Sequence, residues 1–205
     1  MYPLRLDIGR QDEYSRLLPL VKWLLLIPHM IALLLVAIVA WFAIFVSFFA
    51  VVVTGRYPRR LFDFVVGVYR WGYRAIAYGL LMTDRYPPFS LADDPDHPVR
   101  FDVVYPEDGV SRWRPLVHWL LIIPYHFVAA LIVYVVYAVV FLAFFTILFG
   151  KRFPRGMFDL GLNGLRWSAR SNAYFLWLVT EYPPFEWDPD DGSSAPPASQ
   201  PANAL

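Results

Sequence analysis

The chain has 205 residues, of which 58% are hydrophobic, 19% aromatic and only 17% charged, and its 18 Lys and Arg residues nearly balance 17 Asp and Glu residues. Soluble domains are closer to half apolar and a quarter charged, so the composition excludes an ordinary soluble enzyme and a disordered chain. Because positive charge is not in excess, a nucleic-acid-binding module that relies on a basic patch is also excluded. The lack of cysteine excludes thiol catalysis, disulfides and cysteine-bound metal clusters.

The first element in chain order is a segment in which apolar and charged side chains alternate, Leu4–Ile8, and this alternation predicts a β-strand. An apolar run follows over residues 17–53. Its uncharged part, residues 30–53, is long enough to cross a hydrocarbon core of about 30 Å as a helix. Because Pro28 removes a helical hydrogen bond, we expect residues 15–27 to form a short interfacial helix that kinks into the spanning helix. A re-entrant hairpin closing near the proline is the alternative.

A tight basic loop, residues 55–60, leads into a second predicted helix over residues 61–82, and an extended Tyr-Pro-Pro-Phe segment closes the unit. At 100° per residue, one narrow face of this helix carries a carboxylate, two guanidinium groups and a phenol, which we call the charged stripe. Its members are Asp63, Gly67, Arg70, Arg74 and Tyr78. The opposite face carries small residues at four-residue spacing, among them Gly72 and Gly79.

The same order of elements returns at an offset of 95 or 96 residues, and repeats of this kind indicate a duplicated structural unit. The second copy has a predicted strand at Val99–Val103, an apolar run at 116–149, a basic loop at 150–155, a helix at 157–179 and a closing segment at 182–185. We therefore predict a first unit over residues 1–92, a second unit over 93–187 and a disordered polar tail over 188–205. Because lone strands are marginal, the two strands are expected to pair.

The second copy repeats the stripe with Asp159, Asn163, Arg166, Arg170 and Tyr174, and its opposite face carries Gly161, Gly164, Ser168 and Asn172. An interfacial amphipathic helix would place bulky apolar residues on that face. Small residues favour a helix that packs against protein and crosses the membrane, while a helix that lies in the interface is the alternative. The topology expected is four spans with the basic loops in the cytoplasm, and a wedge entirely on the cytoplasmic side is the runner-up.

The stripe admits two interpretations: a structural one, in which the charges neutralise each other, and a basic site for anionic headgroups, solutes or a partner. The candidate binding residues are Arg56, Asp63, Arg70, Arg74, Arg152, Asp159, Arg166 and Arg170, and the candidate helix-packing residues are Gly72, Gly79, Gly161, Gly164 and Ser168. No cofactor, metal site or catalytic set is predicted, since His29 and His126 do not align between the copies and the acidic clusters lack the spacing of a calcium loop.

Several of these motifs occur together in a known family. They are Tyr2 to Arg5, Gly55 to Pro58 with Phe62 and Asp63, Gly67 through Arg70 and Trp71, Tyr78, and Thr83 to Phe89. The sequence resembles the bacterial and archaeal membrane-protein family called domain of unknown function 4389, in two tandem copies. The resemblance implies a membrane location and a prokaryotic source and says nothing of chemistry. The second copy departs from the motifs at Asn163, where the first has Gly67, and at Thr180, where the first has Asp84.

The fold class predicted is an all-α membrane protein, a tandem repeat of two helical units, each a Pro-kinked transmembrane helix plus a charged-stripe second helix, with short surface β-strands. The expected function is that of a structural or accessory subunit in the prokaryotic plasma membrane. It would be multi-pass and would dock membrane proteins or its own copies through the stripes and the small-residue faces. An anion or solute pathway and the binding of anionic lipids are the alternatives, and a lipid-modifying enzyme, which lacks a visible nucleophile, ranks below them.

Overall fold

The structure is a computed structural model, and it describes residues 2–187; the predicted tail lies outside the described residues. Along the chain the elements are β1 (Leu4–Ile8), α1 (Leu18–Thr54), α2 (Arg59–Gly79), β2 (Val99–Val103), α3 (Arg114–Leu121), α4 (Ile123–Gly150) and α5 (Arg155–Phe175). The chain is thus mostly helical with one small sheet, as predicted, and both strands have the predicted bounds.

The first helix differs from the expectation at its proline. α1 is a single helix of 37 residues that continues through Pro28. The prediction of a separate short helix over residues 15–27 is therefore wrong. The Tyr86 hydroxyl donates to the Leu25 carbonyl oxygen at 3.2 Å, three residues before the proline. In the second unit the chain does break, at Ile122, and the proline that follows lies in the first turn of α4, where its missing N–H has little cost.

Each long helix turns back into a second helix through a left-handed residue. Gly55 ends α1 with a φ of 72° and donates its N–H to the Val51 carbonyl oxygen, and Lys151 ends α4 with a φ of 58°. The second helices end at Gly79 and Phe175. The prediction had placed these ends later, at residues 82 and 179.

The two strands form an antiparallel pair in which Leu6 lies opposite Phe101. Pairing between the units was predicted. The packing of the pair is crossed: β1 of the first unit packs on α5 of the second, and β2 of the second unit packs on α2 of the first. Each unit therefore covers its charged stripe with a strand from the other unit.

The strand pair and the long helices lie on opposite sides of the second helices. On α2, Tyr73 stacks on Phe101 of β2 with ring centroids 4.9 Å apart, whereas Trp71 donates from its indole to His29 of α1 at 3.0 Å. On α5, Arg166 reaches β1 while Gly164 lies against α4. The molecule thus has three layers: the strands, then α2 with α5, then α1 with α4.

The outer layer is apolar and largely uncovered. α1 buries a narrow seam that includes Lys22, His29, Ser47 and Val51, and large side chains over the rest of its surface, such as Leu34, are exposed. α4 exposes apolar residues in the same way. Within the described residues, only α1 and α4 are long and apolar enough to cross a membrane; the predicted spans over α2 and α5 do not meet that standard.

Candidate functional site

The first arginine of each charged stripe binds the strand of the opposite unit. It is Arg70 in α2 and Arg166 in α5. Arg166 of α5 donates from Nε to the Leu6 carbonyl oxygen at 2.9 Å and from Nη2 to the Asp7 carboxylate at 2.8 Å. Arg166 is 8% exposed, so the pair is largely shielded from water. A guanidinium that bonds a carbonyl and a carboxylate at once fixes both the position and the register of the strand.

Arg70 of α2 makes the equivalent contacts with β2. Its Nε donates to the Phe101 carbonyl oxygen at 3.1 Å and its Nη2 to the Asp102 carboxylate at 3.2 Å. A third bond, from Nη1 to the Leu91 carbonyl oxygen at 3.1 Å, attaches the linker, by which we mean residues 80–113 between α2 and α3. Since the Arg-x-Asp pattern of the strands and the stripe arginine recur in both copies, these two clamps are one contact made twice.

The next arginine of each stripe lies under the end of the closing segment. Arg74 donates to the Ser90 carbonyl oxygen at 3.4 Å and Arg170 to the Glu186 carbonyl oxygen at 3.5 Å. The Arg170 guanidinium lies 5.7 Å from the ring centroid of Tyr2. In the second copy, His97 stands at the position that Tyr2 has in the first. Burial, together with the positive charges of Arg74 and Arg85, lowers the pKa of His97 to about 4.

The remaining stripe and loop residues are not part of the clamps. Asp63 is exposed and pairs at 3.3 Å with Arg59, one turn away on the same helix, rather than with a stripe arginine. Asp159 is half-buried, and its main-chain carbonyl accepts from the Asn163 amide at 3.0 Å. Arg56 and Arg152 are exposed in the two tight turns. The structure therefore divides the predicted site into arginines that bind the strands and arginines in exposed turns.

The small residues of the second helices have different surroundings. A Cβ on Gly164 would lie 2.4 Å from Val136 of α4, and one on Gly79 would lie 2.9 Å from Leu26 of α1. A Cβ on Gly161 would have ordinary contact with Met82 of the first unit, and one on Gly72 would meet nothing within 4 Å.

Gly72 and Ser168 border a cavity of about 490 Å³ that lies between the two long helices, α1 and α4, and the two second helices, α2 and α5. Its walls are mostly apolar, and Tyr69, Tyr73 and Asn172 add polar groups to them. None of the four stripe arginines Arg70, Arg74, Arg166 and Arg170 lines this cavity.

One buried ion pair was not found from the sequence. Lys22 of α1 is 1% exposed, donates to the Thr83 carbonyl oxygen and lies 2.8 Å from the Asp84 carboxylate. The second unit has His118 and Thr180 at these positions, and His118 donates instead to the Tyr174 carbonyl oxygen at 2.8 Å. A comparison of the two copies would have indicated this ion pair, because the second copy replaces both the cation and the anion.

The closing segments form aromatic clusters that the sequence also left unassigned. The His29 ring stacks on Phe89 with centroids 3.9 Å apart and accepts from the Trp71 indole. At the matching place Tyr125, rather than His126, stacks on Trp167 at 4.8 Å. His126 is exposed and contacts Ser171 at 2.9 Å. Over residues 2–187, no three His, Asp or Glu side chains are grouped as metal ligands would be.

Taken together, the fold and its clamps define a helical protein whose two units each stabilise the other's strand. The chain belongs to the family described as Domain of unknown function (DUF4389), whose model matches residues 18–90 and 112–186. These two segments are consistent with two tandem copies and confirm the resemblance seen in the sequence. No curated protein and no solved structure matches the chain.

Proposed function

We propose that this protein is a non-catalytic membrane protein that inserts the outward faces of α1 and α4 into lipid and acts as a structural or accessory subunit. The observation that carries the proposal is the uncovered apolar layer. Soluble monomers rarely expose apolar patches of more than a few hundred Å², and α1 alone exposes large apolar side chains from Leu20 to Val53. A lipid environment accounts for these side chains without a change of fold.

The charged stripe supports a structural role over a solute pathway. Arg70 and Arg166 are engaged by the strands, so their charges are not available to line a path for anions. The partners expected are other membrane proteins or a second copy, with the cavity beside Gly72 as the small-residue surface that remains open. The multi-pass arrangement in a prokaryotic plasma membrane stays a prediction from the sequence.

The test is purification in a mild detergent, followed by mass determination of the complex and identification of stoichiometric partners. We expect a dimer or a defined complex, and Gly72→Leu should weaken it because the new side chain fills the open surface. Gly156→Leu is the matched control, since a Cβ there also meets nothing within 4 Å but the residue does not line the cavity. A lone monomer in all preparations would contradict the accessory role.

A second candidate function, the binding of anionic lipid headgroups, is favoured by the position of the exposed turn arginines. Arg56 and Arg152 follow the ends of the two apolar helices, where basic side chains meet headgroup charge. Arg56→Ala with Arg152→Ala should reduce retention on vesicles that contain anionic lipid and leave retention on neutral vesicles unchanged. Equal retention of the double variant on both would exclude this role.

A further inference from the structure

We infer that the protein lies within one leaflet of the bilayer, with α1 and α4 in the hydrocarbon, α2 and α5 at the interface and the strands in water, so that neither helical hairpin crosses the membrane. The inference rests on the proposed insertion into lipid and stands against the four-span, multi-pass topology expected from the sequence. It assigns the apolar layer a single occupant, the acyl chains of one leaflet, and places both basic turns and the linker between the units on the same side.

The linker follows α2 over its length without forming a helix. Its Thr83 accepts from Lys22 beyond the end of α2, its Leu91 accepts from Arg70 at the middle, and its Val110 donates to the Gly55 carbonyl oxygen at the turn before α2, at 2.8 Å. Every depth along α2 is therefore accompanied by non-helical chain on the strand side.

The second unit repeats this arrangement with the N-terminal segment. Leu6 accepts from Arg166 at the middle of α5, and Tyr14 donates to the Lys151 carbonyl oxygen at the turn before α5, at 2.9 Å. The extended chain from residue 2 to residue 14 thus follows α5 as the linker follows α2.

A membrane-crossing α2 would place this chain in hydrocarbon. With 21 residues, α2 is about 30 Å long, the thickness of the hydrocarbon core, so no part of the accompanying segment could remain outside. Lipid does not tolerate exposed irregular backbone, and the segment also carries charged side chains. The carboxylates of Asp93, Asp102 and Glu107 are 65%, 73% and 78% exposed, which in hydrocarbon is strongly unfavourable.

Polarity instead changes from one layer to the next. The strand layer exposes charges, including Arg5 and Asp102, whereas the opposite layer exposes apolar side chains along the full length of both long helices. A molecule that is polar on one broad face and apolar on the other satisfies both environments when its helices lie along the membrane plane.

The test is cysteine labelling, for which the cysteine-free chain is a suitable background. Arg56→Cys lies in the turn before α2, and Arg85→Cys lies beyond the other end of α2, two residues after Thr83; both positions are exposed. Leu34→Cys lies on the outward face of α1. A membrane-impermeant maleimide is applied to sealed right-side-out and inverted vesicles, and then after detergent.

We expect Arg56→Cys and Arg85→Cys to react in the same vesicle orientation and neither to react in the other, with Arg152→Cys behaving as Arg56→Cys does. Reaction of the two ends of α2 from opposite sides, or of either end only after detergent, overturns the one-leaflet arrangement. Leu34→Cys should react only after detergent. Its free reaction in sealed vesicles of either orientation would refute lipid insertion itself, and hence the proposed function, independently of the labelling at the ends of α2.

Discussion

At the scale of single residues, the duplicated clamp provides a comparison within one chain. Arg166 is more buried than Arg70, and each bonds a main-chain carbonyl and a carboxylate of the opposite strand. Because hydrogen bonds from charged groups contribute about 1.5–3 kcal/mol each, we predict that Arg166→Ala lowers the free energy of unfolding by about 3 kcal/mol and Arg70→Ala by less. Denaturant unfolding in detergent micelles measures both changes.

The matched control for the clamp is Arg152→Ala, which removes the same side chain from an exposed turn and should change stability by no more than about 0.5 kcal/mol. Arg166→Lys should recover only part of the loss, since an ammonium group cannot present two parallel donors as the guanidinium does. Stability losses equal to that of the turn variant would show that the clamp contributes nothing.

Residue patterns predicted which arginines matter but not what they contact. The 100° spacing placed Arg70 and Arg166 on matching faces, and that is a local property of a helix. Their partners, Phe101 and Leu6, lie 31 and 160 residues away, and no local pattern encodes a contact over such distances. The pair of differences at Lys22 and Asp84 between the copies was visible in the sequence and would have identified the buried ion pair.

At the scale of elements, both strands were predicted with their bounds because alternation of side chains is itself the strand signal. A proline kink in the long helix was predicted for both units; α1 continues through Pro28 as one helix, whereas the chain breaks before α4. Pro28 and Pro124 occupy matching positions, but the contacts around them differ: His29, which follows Pro28, accepts from the Trp71 indole, whereas Tyr125, which follows Pro124, stacks on Trp167. Context of this kind does not appear in a single helix's sequence.

The small residues of the second helices give a prediction with opposite signs at two glycines. Gly164→Ala should destabilise the protein by about 1–3 kcal/mol, because the added carbon would lie 2.4 Å from Val136 and force α5 away from α4. Gly72→Ala should be neutral or stabilise the protein by up to about 1 kcal/mol, since its Cβ meets nothing within 4 Å and alanine favours the helix. Thermal unfolding of the two variants in one detergent compares them.

At the scale of the whole molecule, the crossed strands make each unit incomplete without the other. The sequence predicted two units and a pairing of their strands, yet it did not show that β1 would cover α5 and β2 would cover α2. The consequence is that residues 1–92 leave Arg70 without β2, and residues 93–187 leave Arg166 without β1. A boundary drawn by sequence repetition therefore divides the protein at a place where its contacts do not separate.

We predict that neither half forms a folded monomer when it is expressed alone, and that the two halves expressed together purify as a one-to-one complex. The complex should form because each half supplies the strand that the other's arginine holds. Leu6→Asp in one half with Phe101→Asp in the other is the control, since these residues face each other and are each 2% exposed, and buried carboxylates there should abolish the complex. Protease resistance and mass measurement of the complex provide the readout, and a folded, protease-resistant monomer of either half would show that the crossed strands are dispensable.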